Sequence, residues 1–152
     1  ISSREFPARV TGITDIPEAL IDLQRRFGCR LTGATLGRDG VLAWDGKSFH
    51  YSPGFSVEVI DTTGAGDIFH AGFATSLLEG TDIDTALEFS CAAAALNCMA
   101  IGARGGIRPI SEIRNLIREG HRHPAAFDGR GLTLSTPRTQ DKVTDPSSSS
   151  NS

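Results

Sequence analysis

Apolar residues return at helical spacing at Leu20, Leu23 and Phe27, in a segment that opens with Asp15, Pro17 and Glu18 and stops at Gly28. That spacing predicts an amphipathic helix with those three side chains inward. Leu31 to Leu36 then reads as a strand and Gly37 to Gly40 as the turn after it. Val41 to Trp44 and Lys47 to Tyr51 flank Asp45-Gly46, a two-residue type I′ hairpin signal. Val57, Val59 and Ile60 predict a buried strand that runs into Asp61-Thr62-Thr63-Gly64-Ala65-Gly66-Asp67. Ile68, Phe69, Ala71, Phe73, Leu77 and Leu78 continue as a helix from Asp67 that stops at Gly80. A further helix, capped by Thr81 or Asp82, carries Ala86, Leu87, Phe89 and the small run Ala92 to Ala95. A loop through Gly102, Gly105, Gly106 and Pro109 leads to a last helix, Ser111 to Glu119, with Ile113, Leu116 and Ile117 on its inner face. Strands alternating with helices predict an α/β domain over residues 1–127. From Asp128 on, Gly, Ser, Thr and Pro dominate, and the tail 128–152 is expected to be disordered.

Composition narrows the partners. The chain has 152 residues and a formal net charge of −3, with no basic excess to hold nucleic acid or an anionic membrane. No apolar run approaches a membrane span and no signal peptide opens the chain, so the expectation is a soluble, cytoplasmic protein. Cys29, Cys91 and Cys98 lack metal-pair spacing and read as reduced thiols. His50, with no acid near it in sequence, reads as a strand histidine, and His121 with His123 as too few ligands for a metal. Trp44, Phe49 and Tyr51 read as hairpin scaffold.

The chemistry concentrates at Asp61 to Asp67. Glycines 64 and 66 let the backbone turn tightly and bring N–H groups close to a ligand, and the helix that follows adds the positive end of its dipole. This predicts an anion site. A carboxylate at Asp67 would repel a passively bound phosphate, but it suits a base that takes the proton from a hydroxyl attacking a held phosphoryl group.

The run Asp61 to Phe69 resembles the second signature of the PfkB family of carbohydrate kinases, and Thr35-Leu36-Gly37-Arg38-Asp39-Gly40-Val41 is similar to that family's nucleotide-loop segment. The resemblance implies a ribokinase-like fold, here the C-terminal part of a three-layer α/β/α sandwich. It implies ATP as phosphoryl donor, a small sugar as acceptor and Mg2+ on the phosphates. Asp67 would be the base, and the Gly64, Ala65 and Gly66 N–H groups the anion hole. Thr35, Gly37, Gly40, Gly66 and Asn97 would contact the nucleotide, beside a helix lined by Cys91 and Ala94 to Cys98. Asp61 and Thr63, with the loop before the last helix, would form a monovalent-cation site suited to K+. Ser3 and Phe6 depart from the Asn and Glu common upstream of the segment that Val10-Thr11-Gly12 matches. The family's polypeptide is about twice this length, the chain starts at Ile1, and its only methionine is Met99. The implied remainder would hold the sugar, and a homodimer is among the assemblies the family admits. The alternative is an inactive fragment or nucleotide-binding pseudokinase needing that N-terminal half. A dinucleotide-binding dehydrogenase also opens with Gly-x-Gly, but Phe69 stands where its third glycine belongs.

Overall fold

The computed structural model describes residues 1–127, and the tail expected to be disordered, 128–152, lies outside them. Four strands, β1 (Ser2–Ser3), β2 (Thr32–Thr35), β3 (Val41–Trp44) and β4 (Phe49–Ser52), form one sheet in that order. β1 runs parallel to β2, whereas β2, β3 and β4 are antiparallel neighbours. Five helices accompany it: α1 (Phe6–Thr11), α2 (Ile16–Phe27), α3 (Ala65–Leu78), α4 (Ile83–Asn97) and α5 (Ile110–Glu119).

The alternation along β3 explains the layering. Successive strand side chains point to opposite faces. Val41 and Ala43 enter a core with Phe69 of α3, Leu87 and Ala92 of α4, and Ile113 of α5. Leu42 enters a second core with Leu20 and Leu23 of α2 and Ala34 of β2. Helices thus cover both faces, and the chain is an α/β/α sandwich of the expected ribokinase-like kind.

Helix ends follow their capping chemistry. The Asp15 carboxylate accepts the Glu18 N–H at 2.9 Å, and Gly28, at φ 65°, closes α2 with its N–H on Gln24 O. Asp82 caps α4 by accepting the Thr85 N–H at 2.9 Å. α1 was not expected from the sequence; it opens through the buried Pro7 and closes at Gly12, φ 78°.

Three expectations are corrected. Phe27 is 64% exposed: twelve residues of α2 extend about 18 Å, whereas four-residue strands cover about 13 Å, so the last turn of α2 outruns the sheet. The hairpin turn holds four residues, because Trp44 pairs with Phe49; Asp45 Oδ1 accepts the N–H groups of Lys47 and Ser48, each at 2.7 Å. Val57 to Ile60 form no strand, and Val59 and Ile60 are more than half exposed. The N–H groups of Ile60 and Asp61 donate instead to Cys98 O at the end of α4, at 2.8 and 3.1 Å.

His50 also has partners that its sequence neighbourhood hid. Its Nδ1 lies 2.8 Å from Asp84 Oδ1 at the start of α4, and its Nε2 lies 3.3 Å from Asp45 Oδ2 in the hairpin turn. Burial alone would lower its pKa, but the two carboxylates prevail and raise it. A folded-state pKa above the unfolded value makes the contribution full below about pH 6.5 and loses it as pH rises through the higher folded pKa. His50→Asn is therefore expected to lower the melting temperature more near pH 5.5 than near pH 8.5, by about 0.3–1 kcal/mol at the acid end. Thermal unfolding of both proteins at the two pH values checks this, and an equal loss at both would refute it.

Candidate functional site

The site is assembled at the first turn of α3. Gly64 adopts φ 78°, the left-handed region, directly before the helix. A Cβ there would sit 2.6 Å from Ala103 O, so the turn lies directly against the 102–106 loop. Gly66 is different: it has no left-handed φ, and a Cβ on it would meet nothing within 4 Å. The expectation that both glycines shape the turn is corrected; Gly64 makes the turn, and Gly66 leaves space.

The turn is braced from two sides. Asp61 Oδ1 accepts the Thr63 N–H at 2.9 Å and the Thr63 hydroxyl at 2.7 Å, while Oδ2 accepts the Gly102 N–H at 2.8 Å. These bonds favour the charged carboxylate, the Thr63 and Gly102 N–H groups foremost, and lower its pKa. Asn97 is fully buried and donates from Nδ2 to Thr63 O at 3.2 Å; its Oδ1 has no partner among the described residues. The loop behind is equally close, since a Cβ on Gly106 would lie 2.3 Å from Asn97 Cα.

Helix geometry leaves the first N–H groups of α3 without intrahelical acceptors. The Ala65 N–H closes a turn onto Thr62 O at 3.2 Å, but the Gly66 and Asp67 N–H groups have no acceptor among the described residues. They stand at the positive end of a fourteen-residue helix, a place that favours negative charge. Asp67 is exposed in that same turn.

Beside the turn lies a cleft of about 270 Å³. Thr35, Gly37 and Gly40 border it on one side and Ala65 and Gly66 on another, while Cys91, Ala94, Ala95 and Cys98 of α4 form its floor. The structure therefore brings Thr35, Gly37 and Gly40 to the same cleft as the first turn of α3, though they lie some thirty positions apart. Burial pushes the Cys91 thiol up to about 11, which leaves it protonated and inert. Asn97, Asp61, Thr63, Gly64 and Asp67 do not border the cleft; Asp61 and Asn97 brace the turn beside it. Gly54, Phe55 and His123 border it and were not expected. Pro53-Gly54 after a strand is a turn signal that could have drawn attention to the first two; nothing local marks His123. His121 and His123 are not joined by a third ligand, and no metal-binding group of three His, Cys, Asp or Glu occurs among the described residues. No helix among them is long and apolar enough to cross a membrane. His70, next to the site, places its Nε2 3.0 Å from Ile1 O.

The family model for pfkB family carbohydrate kinases matches residues 9–109. The chain belongs to that family. It is 45% identical to the ribokinase of Bacillus subtilis (strain 168) over 83 residues, which are 55% of this chain and 28% of that protein. The solved Arabidopsis thaliana ribokinase complexed with ribose and ATP superposes with a TM-score of 0.71 at 28% identity, covering 77% of this chain and 40% of that one. A fructokinase variant from Vibrio cholerae O395, solved with fructose, ADP and potassium ion bound, gives a TM-score of 0.69 at 28% identity, covering 76% of this chain and 39% of that one. The chain spans about a third of the length of the curated relatives it matches.

The unlike glycines define a test. Gly64→Ala is expected to cost about 1–3 kcal/mol, because it combines a left-handed φ with a backbone collision. Gly66→Val is expected to change stability by less than about 1 kcal/mol while filling the space in front of the unpaired N–H groups. Thermal unfolding with an inorganic triphosphate titration separates the two effects. Unchanged triphosphate binding by a folded Gly66→Val protein would show that the anion does not bind at this turn.

Proposed function

We propose that these residues form the base-bearing, phosphate-holding part of an ATP-dependent sugar kinase. One observation carries the reading: an exposed carboxylate, Asp67, stands in the same helical turn as N–H groups that have no acceptor, and Ala65 and Gly66 of that turn border a cleft lined by small apolar side chains. A nucleotide fits that donor set. Its base and ribose would lie along the Ala94 and Ala95 floor between Thr35, Gly37 and Gly40, and its phosphates would end at the open space over Gly66.

Asp67 takes the proton from the acceptor hydroxyl as that oxygen bonds to the γ-phosphorus, and the bond from phosphorus to the ADP oxygen breaks. The Gly66 and Asp67 N–H groups, joined by those of Gly64 and Ala65 as the turn tightens, hold the phosphoryl oxygens on which charge is spread during transfer. Magnesium would arrive with the nucleotide and, when bound, would neutralise part of the phosphate charge. Asp61 and Thr63, with backbone oxygens of the 102–106 loop, are the oxygen ligands that would hold a potassium ion; Asp61 already ties that loop to the turn. A second reading, a nucleotide-binding pseudokinase, draws on the open face around Asp67, where no described residue stands opposite the base to position an acceptor.

Two results test the proposal. In a chimera in which residues 1–127 replace the matched part of Bacillus subtilis ribokinase, Asp67→Asn is expected to lower sugar-dependent ATP consumption by two to four powers of ten, ~3–5 kcal/mol of barrier; near-normal turnover in the amide variant would sink the base assignment. The 152-residue chain by itself is expected to show little turnover with ketoses, aldoses or nucleosides, because phosphoryl transfer depends on an acceptor held in line. Robust turnover by a monomer would refute the view that the acceptor is held by residues outside this chain.

A further inference from the structure

The segment after α5 returns to the Gly54 to Ser56 segment and passes the cleft at His123. The Ser56 N–H donates to His121 O at 2.8 Å, Phe55 and Arg122 form an antiparallel bridge, and the His123 N–H donates to Gly54 O at 2.9 Å. Arg122 lies 4.1 Å over the Phe55 ring and pairs with Glu88 of α4. Further on, the Ala126 N–H donates to the Tyr51 hydroxyl at 3.0 Å, and the buried Phe127 ring meets Tyr51 edge-on at 5.3 Å. Residues 121–127 are thus a fastened strap, and they lie beyond the 9–109 match to the family model. The strap brings one ring-bearing residue to the cleft border, His123.

The position of that ring along the cleft follows from α4. Cys98 marks the phosphate end, because its carbonyl receives the Asp61 N–H where the turn begins. Cys91 marks the other end, with its thiol 3.9 Å from Ser52 O, two residues before Gly54. Seven helical residues separate the two cysteines by about 10 Å, the distance a ribose and a base occupy beyond the phosphates. His123, bonded to Gly54, is at the Cys91 end. The wall between is apolar: Phe55, Val57, Ala94 and Ala95. An imidazole at the end of such a wall offers a flat face for stacking and a ring nitrogen for the polar edge of a base.

We infer that His123 is a nucleobase contact, a specificity residue that the strap adds to the nucleotide cleft; this rests on the kinase reading of that cleft. The strap is held at this point through main-chain atoms, so removing the imidazole leaves its fastening in place.

The test follows the histidine Cε1–H and glycine amide NMR signals of the 152-residue chain during titration with ATP, adenosine and inorganic triphosphate at millimolar concentration. ATP and adenosine are expected to shift the His123 signal, whereas triphosphate shifts only the Gly66 amide. His123→Ala is expected to weaken ATP and adenosine by about three- to tenfold and to leave triphosphate binding unchanged. A Gly66 amide that responds to ATP beside an unmoved His123 signal would overturn the inference and leave the kinase reading standing. If neither signal responds to ATP, both fall. Equal ATP affinity in His123→Ala and the unaltered chain would also overturn the inference.

Discussion

Burial of α4 is the constraint on which the rest of the structure depends. It packs against α3, α5 and β4 together, and the contact with α3 is close because small residues face each other: a Cβ on Gly72 would meet Ser90 Cα at 3.3 Å. A helix enclosed on several sides has little freedom to shift. Its C-terminal end is where that rigidity becomes useful. Cys98 O holds the backbone at Ile60 and Asp61, Asn97 holds Thr63 O, and Gly106 packs onto Asn97. The direction of the first turn of α3 is therefore set by α4, and so is the aim of its unpaired N–H groups.

On the proposed reading, that arrangement explains how an acidic chain can offer an anion site. Among the described residues no lysine borders the cleft, and Arg38 is the one guanidinium on it. The positive potential at the start of α3 comes from oriented peptide groups and the helix dipole instead. Fixed dipoles of this kind need no reorganisation as charge develops on a transferring group, which is their advantage over a mobile side chain. They also tolerate Asp67 in the same turn. On the proposed reading the carboxylate and the N–H groups serve different atoms, a hydroxyl proton and the phosphoryl oxygens.

Much of this was legible in the sequence, for a local reason. Caps such as Asp15 with Glu18, and the turn Asp61 to Asp67, are written in residues within four to seven positions of one another. Resemblance alone grouped Thr35, Gly37 and Gly40 with that turn, and the sheet brings them to the cleft. What stayed hidden is non-local. His50 meets Asp84 across 34 positions, Asn97 reaches Thr63 across another 34, and His123 reaches Gly54 by way of a strap. Val57 to Ile60 misled because apolar alternation marks a strand only where a neighbour pairs with it; here α4 takes the N–H groups that a neighbouring strand would have received. Phe27 misled because periodicity does not say where the sheet ends.

The distribution of exposed apolar surface bears on where an acceptor would be held. Leu78 and Ile101 are 90% and 81% exposed, and Asp67, His70, Ala71 and Ala74 are exposed along α3 at the three- and four-residue intervals of one helical face. The face that carries Asp67 is thus the face left uncovered by the described residues. The cleft, by contrast, is bordered on several sides by α3, α4, the Thr35 to Gly40 turn and the strap. On the proposed reading the two substrates meet the chain differently. The nucleotide is enclosed by elements present here, while the sugar must be brought to Asp67 by groups opposite the open face. Since in-line transfer depends on the mutual position of the two, the rigidity of α4 matters only when that opposing surface is equally fixed.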